Sequence, residues 1–181
     1  KIYNGEGGKN DEIKRGIVRE FPTRYTTSAG LVSTIPFQLI SATKNGETEP
    51  YKQEQAANGW RCYFGSADIF LERGYYTYVL TYRTARQIIF HDEKDELYWN
   101  VNGTGWSFTA DKVSCSITFP QGSKITENNC YTGVQGSQAA NCGYTTINDS
   151  TVTFQSNQPL QAYEGLTVSD CIQKVIITAP T

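Results

Sequence analysis

The chain has 181 residues, 16 lysines and arginines against 18 aspartates and glutamates, and a formal net charge of −2. So even a balance supplies no basic field to collect phosphates, which excludes nucleic acid as an expected partner; no apolar run approaches the ~20 residues of a membrane helix. Twelve tyrosines and 16 glycines, with no methionine and one histidine, favour strands and turns over helices.

Lys1 to Asp11 is glycine, asparagine and charge with little to bury, so residues 1–12 are expected to be a mobile lead-in. It has neither the charged start nor the apolar run of a signal peptide. From residue 13 to 181 the chain shows no repeat and no low-complexity linker, and one domain is expected there, since this length can bury roughly 70% of its unfolded surface. Gly16 to Tyr25 is extended, and Pro22 removes a ladder donor, which suits an edge strand. Ser33 to Thr43 reads as a strand, Lys44-Asn45-Gly46 as a hairpin turn, and Asn58-Gly59 as a second turn before the short strand Trp60–Phe64. In Gly74 to Tyr82, Tyr76, Tyr78, Leu80 and Tyr82 share one face of a strand, where tyrosine packs well while keeping its hydroxyl wet.

Arg86 to Phe90 is a further apolar strand, followed by the charged loop His91-Asp92-Glu93-Lys94-Asp95-Glu96. Glu96 to Trp106 holds two of the three tryptophans. Leu97, Trp99 and Val101 alternate with Tyr98, Asn100 and Asn102 at the period of a half-buried strand; Gly103 and Gly105 let the chain reverse, so that Trp106 lands back on the strand it left. Burying such rings contributes roughly 2–3 kcal/mol each. Val113 to Phe119 alternates until Pro120, and later strands are expected at Tyr144–Ile147, Thr151–Phe154, Gly165–Val168 and Lys174–Thr178. Many short strands without an amphipathic helix describe an all-β, two-layer antiparallel sandwich, immunoglobulin-like or jelly-roll-like, with long loops.

Five cysteines leave at least one unpaired within a single chain. Cys130 and Cys142 bracket a polar, glycine-bearing loop, and a disulfide is expected between them; such a bridge contributes on the order of 3 kcal/mol and favours an oxidising compartment. Cys62 shares a face with Trp60 and Phe64, and Cys115 with Val113, Ile117 and Phe119, so both read as small core hydrophobes. Cys171 follows Asp170 in a turn-like setting and is open to pairing with either. The absence of a Cys-x-x-Cys spacing argues against zinc.

Catalysis would have to use His91 with Asp92, Glu93, Asp95 or Glu96, yet no Gly-x-Ser-x-Gly elbow is present, and neighbouring acids in one loop do not face each other across a glycosidase cleft. The same acids are dense enough to attract calcium but lack the EF-hand spacing. No cofactor and no catalytic residue are therefore assigned. Tyr98, Asn100, Asn102 and Trp106 form the candidate ligand face, with a ring to stack on a sugar and amides around it. Asn102-Gly103-Thr104 and Asn148-Asp149-Ser150 have the form of glycosylation sequons.

Taken in order, Gly16 to Tyr25, Gly74 to Tyr82, Asp95 to Trp106, Tyr131-Thr132-Gly133 and Glu164 to Val168 resemble the amino-terminal domain of the predicted membrane proteins grouped as domain of unknown function 2207. The tryptophan motif is the most specific piece, and the polar lead-in and the two core-like cysteines depart from the pattern. The resemblance implies an extracytoplasmic domain, periplasmic or at the cell surface, that follows a signal peptide and precedes a membrane tether, with no assigned activity. The functional expectation is a non-catalytic domain for recognition, sensing or scaffolding with a protein or glycan partner. Its alternatives are a module binding cell-wall polysaccharide and a hydrolase centred on His91.

Overall fold

The computed structural model describes residues 1–5, 13–26, 30, 32–174 and 176–179, and among them every regular element is a strand. The chain divides into two compact units, Lys1–Arg86 and Gln87–Thr181. No composition shift or linker marks the boundary in the sequence.

The first unit contains β1 (Ile2–Asn4), β2 (Gly16–Pro22), β3 (Arg24–Thr26), β4 (Val32–Thr34), β5 (Phe37–Lys44), β6 (Glu47–Thr48), β7 (Tyr51–Ala56), β8 (Gly59–Gly65), β9 (Gly74–Tyr76) and β10 (Tyr78–Thr84). They pair as β2-β8-β7, β10-β5-β6, β1-β9 and β3-β4. β2 is an edge strand, as Pro22 requires. The expected lead-in is corrected at its start: Ile2–Asn4 pairs with Gly74–Tyr76, and the buried Asn4 amide donates to the carbonyls of Leu71 and Glu72 at 2.9 and 3.1 Å. Residues 6–12 lie outside the described residues. Asn45 and Gly46, both at positive φ (53° and 90°), make the turn between β5 and β6. Gly16 faces Gly65 across the β2–β8 ladder so closely that a Cβ on Gly16 would lie 1.8 Å from the Phe64 carbonyl oxygen, and only glycine fits.

Rings close this unit. Phe21 of β2 lies 4.5 Å from Phe37 of β5 and 5.0 Å from Tyr82 of β10, centroid to centroid, which ties the two three-stranded sheets together. The inward tyrosines behave as structure: the Tyr78 hydroxyl is buried without a hydrogen-bond partner among the described residues, and burial, then the Glu49 carboxylate, push its pKa up to about 12. Cys62 is fully buried on β8, as its alternation with Trp60 and Phe64 required.

The second unit contains β11 (Ile88–Phe90), β12 (Lys94–Asn100), β13 (Ser114–Thr118), β14 (Ile125–Gly133), β15 (Cys142–Asn148), β16 (Thr151–Ser156) and β17 (Gly165–Gln173). It is a two-layer sandwich of β11-β12-β17-β14 and β13-β16-β15, both antiparallel. Val113, Val152, Phe154, Leu160, Leu166 and Val168 form the core between the layers, with Trp99, Val101, Cys115 and Ile117 packed against it. Cys130 on β14 is joined to Cys142 on β15, so the disulfide staples one layer to the other. β17 is the spine, since it pairs with β12 on one side and β14 on the other and buries seven of its nine residues.

Candidate functional site

Alternation along the three central strands of the four-stranded sheet decides what each face carries. Leu166 and Val168 point into the core and Cys130 reaches across it, so Asp95, Leu97 and Trp99 of β12, Asp170 and Ile172 of β17, and Asn128 and Thr132 of β14 share that inner face. The outer face then carries three rows in register: Glu96, Cys171 and Glu127; Tyr98, Ser169 and Asn129; Asn100, Thr167 and Tyr131.

This outer face carries three separate polar groups: His91–Glu96–Ser169, Lys94–Glu127 and Thr167–Asn100. Glu96 is the centre of the first: Oε1 accepts from the Ser169 hydroxyl at 2.5 Å, and Oε2 lies 2.7 Å from His91 Nε2. The Ser169 hydroxyl first, and His91 second, hold the Glu96 carboxyl below its ordinary range. One row over, Lys94 donates to Glu127 at 2.6 Å and spans β17 above the buried Cys171 thiol, which burial pushes up and Lys94 draws back. At the other end the Thr167 hydroxyl donates to Asn100 Oδ1 at 2.5 Å, beside Tyr98, which is 49% exposed.

The chemistry follows from the order of the groups. A serine hydrolase needs the imidazole next to the hydroxyl and the carboxylate behind it. Here the sequence is serine, glutamate, histidine, and the shared carboxylate is stabilised in its charged form, which makes it a poor base. Cation ligands are also committed elsewhere: Asp95 is bound by Lys174 at 2.7 Å, and among the described residues no three histidine, cysteine, aspartate or glutamate side chains converge on a metal position. What the face does offer is an ordered array of hydroxyls and amides around an exposed ring.

A model of the N-terminal domain of predicted membrane proteins of the DUF2207 family matches residues 8–169. The chain belongs to this family. Comparison with curated proteins and with solved structures found no match. Membership places the DUF2207 domain in predicted membrane proteins, while no helix among the described residues is long and apolar enough to cross a bilayer.

In this DUF2207 domain the four candidate ligand residues separate. Tyr98 and Asn100 stand on the outer face, whereas Asn102 and Trp106 are built into a turn. Asn102 accepts from the Leu166 amide at 2.8 Å and donates to the Glu164 carbonyl at 3.3 Å; its own carbonyl accepts the Trp106 indole N–H at 2.9 Å. Trp106 therefore does not return along β12 as the sequence pattern suggested. It packs on Phe108 with its indole N–H satisfied inside the loop, and β13 lies in the other layer. Two further expectations are corrected. Asp95 and Glu96 belong to β12 and leave only His91 to Glu93 as loop, and Cys171 lies buried within β17, unpaired like Cys62 and Cys115. The sequence reading missed Ser169, Thr167, Lys94 and Glu127. Their signal was the continuation of the Gly165–Val168 alternation through Ser169-Asp170-Cys171-Ile172.

Proposed function

We propose that this DUF2207 domain is a non-catalytic recognition, sensing or scaffolding domain on the extracytoplasmic side of a membrane-anchored protein, working through the outer face of β12, β17 and β14. One observation carries the reading: the histidine, glutamate and serine that chemistry would require are spent on one another in an order unsuited to hydrolysis, while Tyr98 and the Asn100–Thr167 pair remain presented beside them. The interlayer disulfide supports an oxidising compartment. Family membership supports the anchor.

The test has two parts. In intact cells carrying the full-length protein, a membrane-impermeant lysine reagent should label this domain, and labelling that appears only after lysis would place it on the other side. The isolated domain should bind cell envelopes, and Tyr98→Ala with Asn100→Ala should weaken that binding at least about tenfold, roughly the loss of one stacked ring and its hydrogen bonds. Equal binding by the double variant removes the face from the proposal. The exposed Tyr98 ring beside an amide and a hydroxyl favours wall polysaccharide as a second reading, for which purified polysaccharide should compete with envelope binding.

A further inference from the structure

The inner face of the same sheet holds a group that nothing above uses. Asp170 has no exposed surface, and neither carboxylate oxygen has a hydrogen-bond partner among the described residues. Directly opposite on β14 stands Asn128, whose Oδ1 is also buried without a donor. Side chains opposed in an antiparallel pair lie about 4.5–5.5 Å apart at Cβ. Opposed residues of one antiparallel pair thus each carry a buried acceptor oxygen with no donor among the described residues.

We propose that Asp170 is a proton-held latch: in its neutral form it donates to Asn128 and ties β17 to β14, and losing that proton loosens this end of the sandwich and uncovers the free thiol of Cys115 in the facing layer. A neutral carboxyl supplies a donor to Asn128 Oδ1, which has none among the described residues. An ionised one would be a buried charge without compensation. Among the described residues the surroundings offer no such compensation. From β12 the residue opposite Asp170 is Leu97; Asp95, further along the same face, is engaged with Lys174 at 2.7 Å. From β13 comes Cys115, whose thiol is pushed up to about 11 by burial and then by Asp170, and so stays neutral. From β14 and β15, Cys130 and Cys142 are spent in the disulfide, and β16 presents Val152 and Phe154.

Burial alone pushes the Asp170 carboxyl up from 3.8 to about 7. A carboxyl raised on folding contributes stability that is intact below the unfolded pKa and is lost as pH rises through the folded value. Loosening therefore grows as pH rises towards neutrality and is complete just above it. It is confined by the disulfide, which anchors β14 at Cys130, opposite Val168. Cys115 faces the latch from the other layer, so its thiol reports the opening, while Cys171 on the outer face and Cys62 in the first unit are internal references.

The experiment compares the whole chain with Asp170→Asn, an uncharged isostere that can itself donate to Asn128. Iodoacetamide labelling is read peptide by peptide between about pH 5.5 and 8.5, with urea unfolding alongside. In the parent, labelling of Cys115 relative to Cys62 should rise by up to about tenfold per pH unit from about pH 5.5 to neutrality and level off above it, and the urea midpoint should fall over the same range. In Asp170→Asn both should be flat. A parent with no such rise, or a variant with the same rise, overturns the proposal. Should the variant not fold, the carboxyl carbon resonance of Asp170 in the parent decides: titration near neutrality sustains the latch, and ionisation complete by about pH 5 ends it.

Discussion

The two faces of β17 place similar chemistry in opposite circumstances. Outside, the Glu96 carboxylate on the neighbouring strand accepts from Ser169, touches His91, and is held in its charged form. Inside, the Asp170 carboxyl has no donor and is driven towards its neutral form by burial alone. The same sheet thus stabilises one carboxylate and suppresses another. Donors and depth together set the sign: Glu96 is 19% exposed and held by Ser169 and His91, whereas Asp170 is fully buried without a donor among the described residues. The outer face is fit for presentation, and the inner face for holding the layers together.

The largest effect that tests this division lies inside. Leu166→Ala empties a position with no exposed surface in the core cluster and should cost about 2–5 kcal/mol in urea unfolding. A loss under ~1 kcal/mol would mean that the layers are not packed through β17. Next comes the staple. Replacing Cys130 and Cys142 by serine releases a closure of 12 residues and should cost about 3 kcal/mol, with two thiols gained in the parent only after reduction. If alkylation is unchanged by reductant, the layers are not covalently joined.

A smaller effect lies outside. Ser169→Ala removes the leading donor to Glu96 and should cost about 1–2 kcal/mol near neutral pH. The sign with pH is the reverse of that for Asp170: a carboxyl depressed on folding gives stability that is present above its unfolded pKa and is lost as pH falls through the folded one. The variant should therefore lose less stability than the parent on acidification below about pH 4. Identical acid limbs would show that Glu96 draws its stabilisation from elsewhere.

How much of this was legible depended on range. Period-two patterns located β10, β12 and β13, and Asn45-Gly46 marked its turn, because those signals reside in neighbouring residues. The disulfide was legible from two cysteines around a polar loop, although its role in joining the layers was not. Pairing partners are set by packing across long separations, so the insertion of β17 between β12 and β14 left no local trace. The turn assigned to Cys171 failed for that reason: Ser169-Asp170-Cys171 reads as polar until Glu96 on one side and the core on the other explain each residue. Trp106 was misplaced because aromatic size suggested a strand, while its N–H had a nearer partner in Asn102.

The smallest stability effect belongs to the residue given the largest functional one. Tyr98 is half exposed on the outer face, so Tyr98→Ala should shift the unfolding free energy by no more than about 0.5 kcal/mol. Removing the same ring should weaken envelope binding strongly if the face works by stacking. Trp106→Ala makes the contrast, since that ring is fastened to Asn102 and packed on Phe108, and its loss should lower stability in proportion to any loss of binding. Measuring both quantities for both variants separates a surface that recognises from one that merely folds. If Tyr98→Ala lowers stability and leaves binding intact, the outer face belongs to the architecture, and recognition must be sought elsewhere on the chain.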